Sequence, residues 1–184
     1  KHIQQKSKEW FSKRKQIITA SDVSSILECN PFTYKFDIFN NKIKEDIILT
    51  DDVATNWGNI YEPYAKDAYL NKQLPVGDKI IHDVGLVIHE KYNWLGASPD
   101  GIVEALDSKE EDKWWILEIK CPFRRSFENK GEKIPNYIWI QTQIQMEVCN
   151  LPFCHLYQCK FDNDSKIPIS TRLTTIYRDN KWFS

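Results

Sequence analysis

Between Ser98 and Lys120 the chain reads Ser-Pro-Asp-Gly, then sixteen residues, then Glu-Ile-Lys. Asp100 sits in a turn-prone Pro-Asp-Gly. Glu118 and Lys120 close the apolar run Trp114-Trp115-Ile116-Leu117-Glu118-Ile119-Lys120. Side chains alternate along a strand with period two, so Glu118 and Lys120 point to one face. Residues 101–113 leave room for a strand and a polar turn, and a hairpin of that length brings Asp100 beside Glu118. A half-exposed strand alternates apolar and polar residues, whereas this one is apolar until Glu118. Charges at the end of a buried strand are costly unless paired or bound to a cation. Two carboxylates and an ammonium on one sheet face suit Mg²⁺ held by oxygen ligands, with the lysine orienting or deprotonating a water. The chemistry that fits is phosphodiester hydrolysis. The competing interpretation of a lone Glu-x-Lys is a solvated strand face.

Coarse patterning gives the frame. A short helix is expected at 7–15, with Trp10 and Phe11 on its buried side. Thr19-Ala20-Ser21-Asp22 caps a second helix at Val23–Leu27, because hydroxyl and carboxylate side chains accept the free amide hydrogens of a helix start. Helices follow at 34–45 and about 55–72, the latter with an apolar stripe of Ile60, Tyr64, Ala65, Ala68 and Tyr69. Pro63 belongs in a first turn or marks a kink. Strands are expected at 80–90 and 93–95, then the hairpin, then a helix from Pro135 to Cys149, then strands at 153–161 and 171–178. This order predicts an α/β fold with a mixed β-sheet flanked by α-helices. The 184 residues, 41% hydrophobic and with seven Trp, suffice for one domain with a core. A helical segment 1–75 would pack on a core 76–184.

No apolar run is long enough to span a membrane and no signal-peptide pattern opens the chain. The five cysteines are odd in number and lack zinc or redox spacing, so reduced thiols are expected. Both features predict an intracellular protein with no membrane partner: cytoplasm or nucleus of a host cell if viral, cytoplasm if bacterial. Net charge is −1, which does not mark a general nucleic-acid binder. Its distribution is more informative. Residues 1–15 carry six basic residues against Glu9 alone. Residues 120–133 add Lys120, Arg124, Arg125, Lys130 and Lys133. Two basic segments around an acidic site fit a phosphate-backbone channel that includes Arg124.

Five separated blocks carry a resemblance. They are Trp10-x3-Arg14 with Ile18-Thr19-Ala20-Ser21; Trp57-Gly58 with Glu62 and Ala65; Gly96-Ala97-Ser98-Pro99-Asp100-Gly101; Leu117-Glu118-Ile119-Lys120-Cys121-Pro122; and Tyr137 with Gln141-x-Gln143-x2-Met146. Over about residues 7–161 the chain resembles the YqaJ-type viral recombinase nucleases, the group that includes phage lambda exonuclease. These belong to the PD-(D/E)xK superfamily and have a restriction-endonuclease-like core. The resemblance implies Mg²⁺, with Mn²⁺ as a substitute and two ions in the site. Glu62, Asp100 and Glu118 would be its ligands, with the Ile119 carbonyl. Lys120 would act on the water and Gln141 would sit at the edge of the site. Arg14, Thr19 and Ser21 would hold a 5′-terminal phosphate, where a planar guanidinium and a capped helix start suit a dianion. Gln143 would contact DNA.

The implied activity is a 5′-to-3′ exonuclease on double-stranded DNA ends that leaves 3′ overhangs for recombination or repair. A single-strand annealing protein is the implied partner, and trimer and monomer both stay open. The alternatives are a PD-(D/E)xK endonuclease, an RNA-degrading relative, or a module that holds DNA ends without cutting.

Overall fold

A computed structural model describes residues 3–44, 53–72, 78–106, 113–124, 133–163 and 165–184. The elements run α1 (Lys8–Lys15), β1 (Ile18–Thr19), α2 (Ala20–Ile26), α3 (Lys35–Ile43), α4 (Val53–Asn71), β2 (Lys79–His82), β3 (Val87–Ile88), β4 (Leu95–Ala97), β5 (Gly101–Ala105), β6 (Trp114–Lys120), α5 (Asn136–Cys149), β7 (Phe153–Lys160) and β8 (Ser170–Tyr177). The strands form a five-stranded sheet in the order β2-β5-β6-β7-β8 and a small sheet in the order β1-β4-β3. In the large sheet only β6 and β7 run parallel. A parallel pair needs a crossover, and α5 supplies it.

Strand β6 lies at the centre, and its near-continuous apolar sequence follows from burial on both faces. Trp115, Leu117 and Ile119 pack with Tyr61, Ala65 and Tyr69 of α4. On the opposite face Ile116 packs with Ile138 and Met146 of α5. Ile144 and Val148 of α5 bury against Ala20 of α2 and Leu95 and Ala97 of β4. Helix α5 therefore lies between the two sheets, and residues on several of its sides are buried.

Several expectations shift. Helix α2 starts at Ala20 rather than Val23, with Thr19 as its N-cap. The buried stripe of α4 is Tyr61, Ala65 and Tyr69, while Ile60 is 60% exposed. Pro63 lies well inside α4, which continues through it. The single strand expected at 80–90 is two strands in different sheets, with Gly85 at φ 66° between them. The left-handed backbone there favours glycine and breaks the extended run. Trp10 and Phe11 are half-buried, not core. Arg125, Lys130 and the acidic turn 107–112 lie outside the described residues. Among the described residues no helix is long and apolar enough to cross a membrane, and all five cysteines are free thiols.

Candidate active site at the end of strand β6

The hairpin expected from the sequence forms. Gly101 of β5 pairs with Leu117 of β6, which puts Asp100 level with Glu118 and Ile119. Gly101 is a close-approach position: a Cβ there would lie 2.4 Å from Cγ2 of Ile81 on β2. Asp100 Oδ2 accepts the Ile119 amide at 2.6 Å, so the carboxylate is fastened to the strand that carries its partners.

Glu118 is only 2% exposed and is gripped by three donors. Lys120 Nζ reaches its Oε1 at 2.6 Å and Gln141 Nε2 reaches the same oxygen at 2.8 Å. Gln145 Nε2 donates to Oε2 at 2.7 Å. Lys120 also donates to Gln141 Oε1 at 3.3 Å. Burial is the largest influence on the Asp100 carboxyl and raises it well above the ordinary carboxylate range; the neighbouring charges of Glu118 and Glu62 act in the same direction. Burial alone would lower the Lys120 ammonium, but Glu118 and Asp100 outweigh it and hold it at about 12. Glu62 comes from α4 and pairs with Lys6 and Lys66, each at 3.2 Å. Among the described residues no three His, Cys, Asp or Glu side chains are drawn into a preformed metal cage. The donor set still suits a hard divalent cation, with carboxylate oxygens from Asp100, Glu118 and Glu62. The like-charge part of the upward shift at Asp100, second to burial, is what a bound cation would relieve.

A second cluster lies around α1 and α2. Arg14 Nη2 donates to Ser21 Oγ at 2.9 Å and to Thr19 Oγ1 at 3.2 Å. Its guanidinium stands 4.3 Å from the centre of the Trp10 ring. Burial lowers the Arg14 guanidinium from its ordinary value and Asp22 opposes that. Asp22 also accepts the amide and the hydroxyl of Thr19 and pairs with Lys42 at 2.8 Å. Helix α2 is seven residues long and its N-cap amide is already taken. Anion-binding capacity at this spot therefore rests on side chains, Arg14 above all, rather than on the helix start.

Of the sequence-predicted residues, Asp100, Glu118, Ile119, Lys120 and Gln141 converge, and Glu62 stands near enough to act on Asp100. Arg14, Thr19 and Ser21 form their own cluster. Arg124 is exposed beyond the end of β6, with its guanidinium 5.6 Å from the Phe123 ring. Gln143 departs from the expectation that it contacts DNA. It is buried, donates to the Tyr177 carbonyl at 2.9 Å and accepts the Asp179 amide at 2.8 Å. It fastens the end of β8 instead. The residue that sequence reasoning passed over is Gln145. Residues four apart share a helix face and residues two apart do not, so Gln145 and not Gln143 sits with Gln141.

The family model of the YqaJ-like viral recombinase domain matches residues 9–152, which hold Arg14, Thr19, Ser21, Glu62, Asp100, Glu118, Lys120 and Gln141. The chain belongs to this family. An uncharacterized protein of Acanthamoeba polyphaga mimivirus is 30% identical over 172 residues, covering 87% of this chain and 30% of that protein. A protein of African swine fever virus is 26% identical over 160 residues, covering 76% of this chain and 45% of that protein. The YqaJ-like chain thus spans less than half the length of these viral relatives. Among solved structures, the alkaline exonuclease of Laribacter hongkongensis in complex with dAMP superimposes with a TM-score of 0.70 at 25% identity, covering 96% of this chain and 85% of that one. A second crystal structure of that enzyme matches at 24% identity with the same TM-score. The fold is the restriction-endonuclease-like one, a mixed sheet flanked by helices.

Proposed function

We propose that this YqaJ-like domain is a divalent-metal-dependent deoxyribonuclease that digests duplex DNA from its ends, 5′ to 3′, and leaves 3′ single strands. The observation that carries it is the convergence of Asp100, Glu118 and Lys120 at the paired ends of β5 and β6. The likeness to an alkaline exonuclease solved with dAMP adds support.

Glu62, Asp100, Glu118 and the Ile119 carbonyl would hold Mg²⁺, which supplies charge stabilisation at the scissile phosphate and a more acidic bound water. Lys120 orients the attacking water and presents its ammonium to charge developing on the phosphate. Gln141 and Gln145 hold Glu118 in place from α5. Arg14, Thr19 and Ser21 bind the 5′-terminal phosphate, with the guanidinium as a planar fork of donors. Arg124 contacts the phosphate backbone. The 3′ overhang is a substrate for a single-strand annealing protein in recombination or end repair.

An end-labelled linear duplex, incubated with Mg²⁺ beside a covalently closed circle, tests this. Release of nucleotides from the 5′ ends with the circle left intact is the expected result. Nicking of the circle would reassign the domain to an endonuclease. Tight binding of ends without hydrolysis in Mg²⁺ or Mn²⁺ would make it a binding module.

A further inference from the structure

The two clusters meet at one side chain. The Trp10 ring lies under the Arg14 guanidinium at 4.3 Å, and its indole N–H donates to Ser98 Oγ at 2.9 Å. Ser98 opens the Ser98-Pro99-Asp100 turn, and Asp100 is the carboxylate fastened to Ile119. The same N-terminal segment reaches that turn once more and also reaches α4. Gln5 Nε2 donates to the Pro99 carbonyl at 2.8 Å, and Lys6 pairs with Glu62. Lys6 adopts a left-handed backbone at φ 64°, which a lysine rarely does and which a close set of contacts can hold in place.

We infer that Trp10 is a positioning residue that couples occupation of the 5′-phosphate pocket to the placement of Asp100. The inference rests on the proposed reading of Arg14, Thr19 and Ser21 as that pocket. A phosphate bound by Arg14 fixes the guanidinium. The guanidinium fixes the indole plane beneath it by cation–π attraction. The indole N–H then holds Ser98 and so the turn that aims Asp100. With a 5′-hydroxyl end the guanidinium is not tied to a substrate anion, and the turn is held less firmly. Binding energy from a remote substrate group is thereby spent on the geometry of the reacting centre, which appears in kcat rather than in KM.

Two substitutions break the link at its two ends. Trp10→Phe keeps a ring under Arg14 but has no N–H. Ser98→Ala removes the acceptor and leaves the indole untouched. Digestion of duplexes with 5′-phosphoryl and 5′-hydroxyl ends is measured for each, with KM and kcat separated. In both variants the kcat advantage of phosphorylated ends should shrink by roughly five- to ten-fold, the size of one lost hydrogen bond. KM for phosphorylated ends should stay as in the parent protein. The double variant should be no worse than either single one, because both remove the same interaction. Equal slowing on both kinds of end, or effects of the two substitutions that add, would overturn the coupling while leaving the pocket intact. A parent protein that does not discriminate the two ends would overturn the pocket and the coupling together. Raised KM for phosphorylated ends in Trp10→Phe alone would place Trp10 in phosphate binding only, and the coupling would fall.

Discussion

Glu118 shows how much chemistry one buried carboxylate concentrates. Its two oxygens take three donors, from Lys120, Gln141 and Gln145. A buried charge persists only when it is paired and hydrogen-bonded this fully. Gln145 is 1% exposed, and among the described residues its Oε1 has no partner while its side-chain amide donates to Glu118. Replacing it by leucine leaves Glu118 Oε2 without that donor. Groups that orient a metal ligand in this way typically change metal affinity or activity by about 10–100-fold when lost. Gln145→Leu should therefore weaken Mn²⁺ binding by about ten-fold in calorimetry, and cost about 1–3 kcal/mol in denaturant unfolding. Unchanged Mn²⁺ affinity with only the stability loss would leave Gln145 a structural residue. The sequence motif pointed to Asp100, Glu118 and Lys120 because strand period and hairpin length bring them together without knowledge of the rest of the fold. Gln145 was equally legible from helical period, but the eye follows Gln-x-Gln spacing. On a helix that spacing sends Gln141 and Gln143 in different directions.

At the scale of elements, a second buried polar group lies in the core between α4 and the large sheet. Tyr69 Oη meets His155 Nδ1 at 2.6 Å and accepts the Trp115 indole N–H at 2.9 Å. His155 faces the α4 side of β7, away from the carboxylates. Burial, reinforced by Lys79, lowers the His155 imidazole to about 4. The unfolded chain binds this proton near 6.5 and the folded chain only near 4. Stability from a neutral His155 is thus fully present above pH 6.5 and is lost as pH falls toward 4. One pKa unit corresponds to about 1.4 kcal/mol, so the loss across this window is about 3 kcal/mol. His155→Gln should flatten the unfolding midpoint between pH 6.5 and 4 relative to the parent protein. An unchanged pH slope would mean that other groups control it. The long elements here were legible because α5 and β6 carry patterns set by what covers them. Strands β1 and β3 were not. Each is two residues long, and β1 pairs in parallel with β4 across some seventy-five residues of chain, which no local pattern reports. On α4 only the first position of the expected stripe differs, Tyr61 in place of Ile60, because both are apolar and only the sheet decides which of them faces it.

Over the whole molecule the net charge of −1 says little, and the placement of charge says more. The acidic site is buried at the end of β6, where Lys120 of the same strand pairs with Glu118 and Lys6 and Lys66 pair with Glu62. Arg14 sits across the turn from them, joined through Trp10. This arrangement gives end recognition its own test. Arg14→Ala should slow digestion of 5′-phosphorylated ends much more than that of 5′-hydroxyl ends. A charge-assisted hydrogen bond contributes about 1.5–3 kcal/mol, so the selective slowing should be roughly ten- to a hundred-fold. Arg14→Lys keeps the charge but not the fork, and should recover only part of the selectivity. Because Arg14 also bonds Thr19 and Ser21 and packs on Trp10, some stability is lost as well, and the rates must be compared below the unfolding range of each variant. Exposed phosphate contacts fade with salt, whereas a contact in a half-buried pocket fades less. The preference for phosphorylated ends in the parent protein should therefore persist at salt that already weakens overall DNA binding. If Arg14→Ala instead slows both kinds of end by the same factor, Arg14 is a backbone contact or a structural residue, and the phosphate pocket is withdrawn while the proposed hydrolytic role of Asp100, Glu118 and Lys120 is untouched.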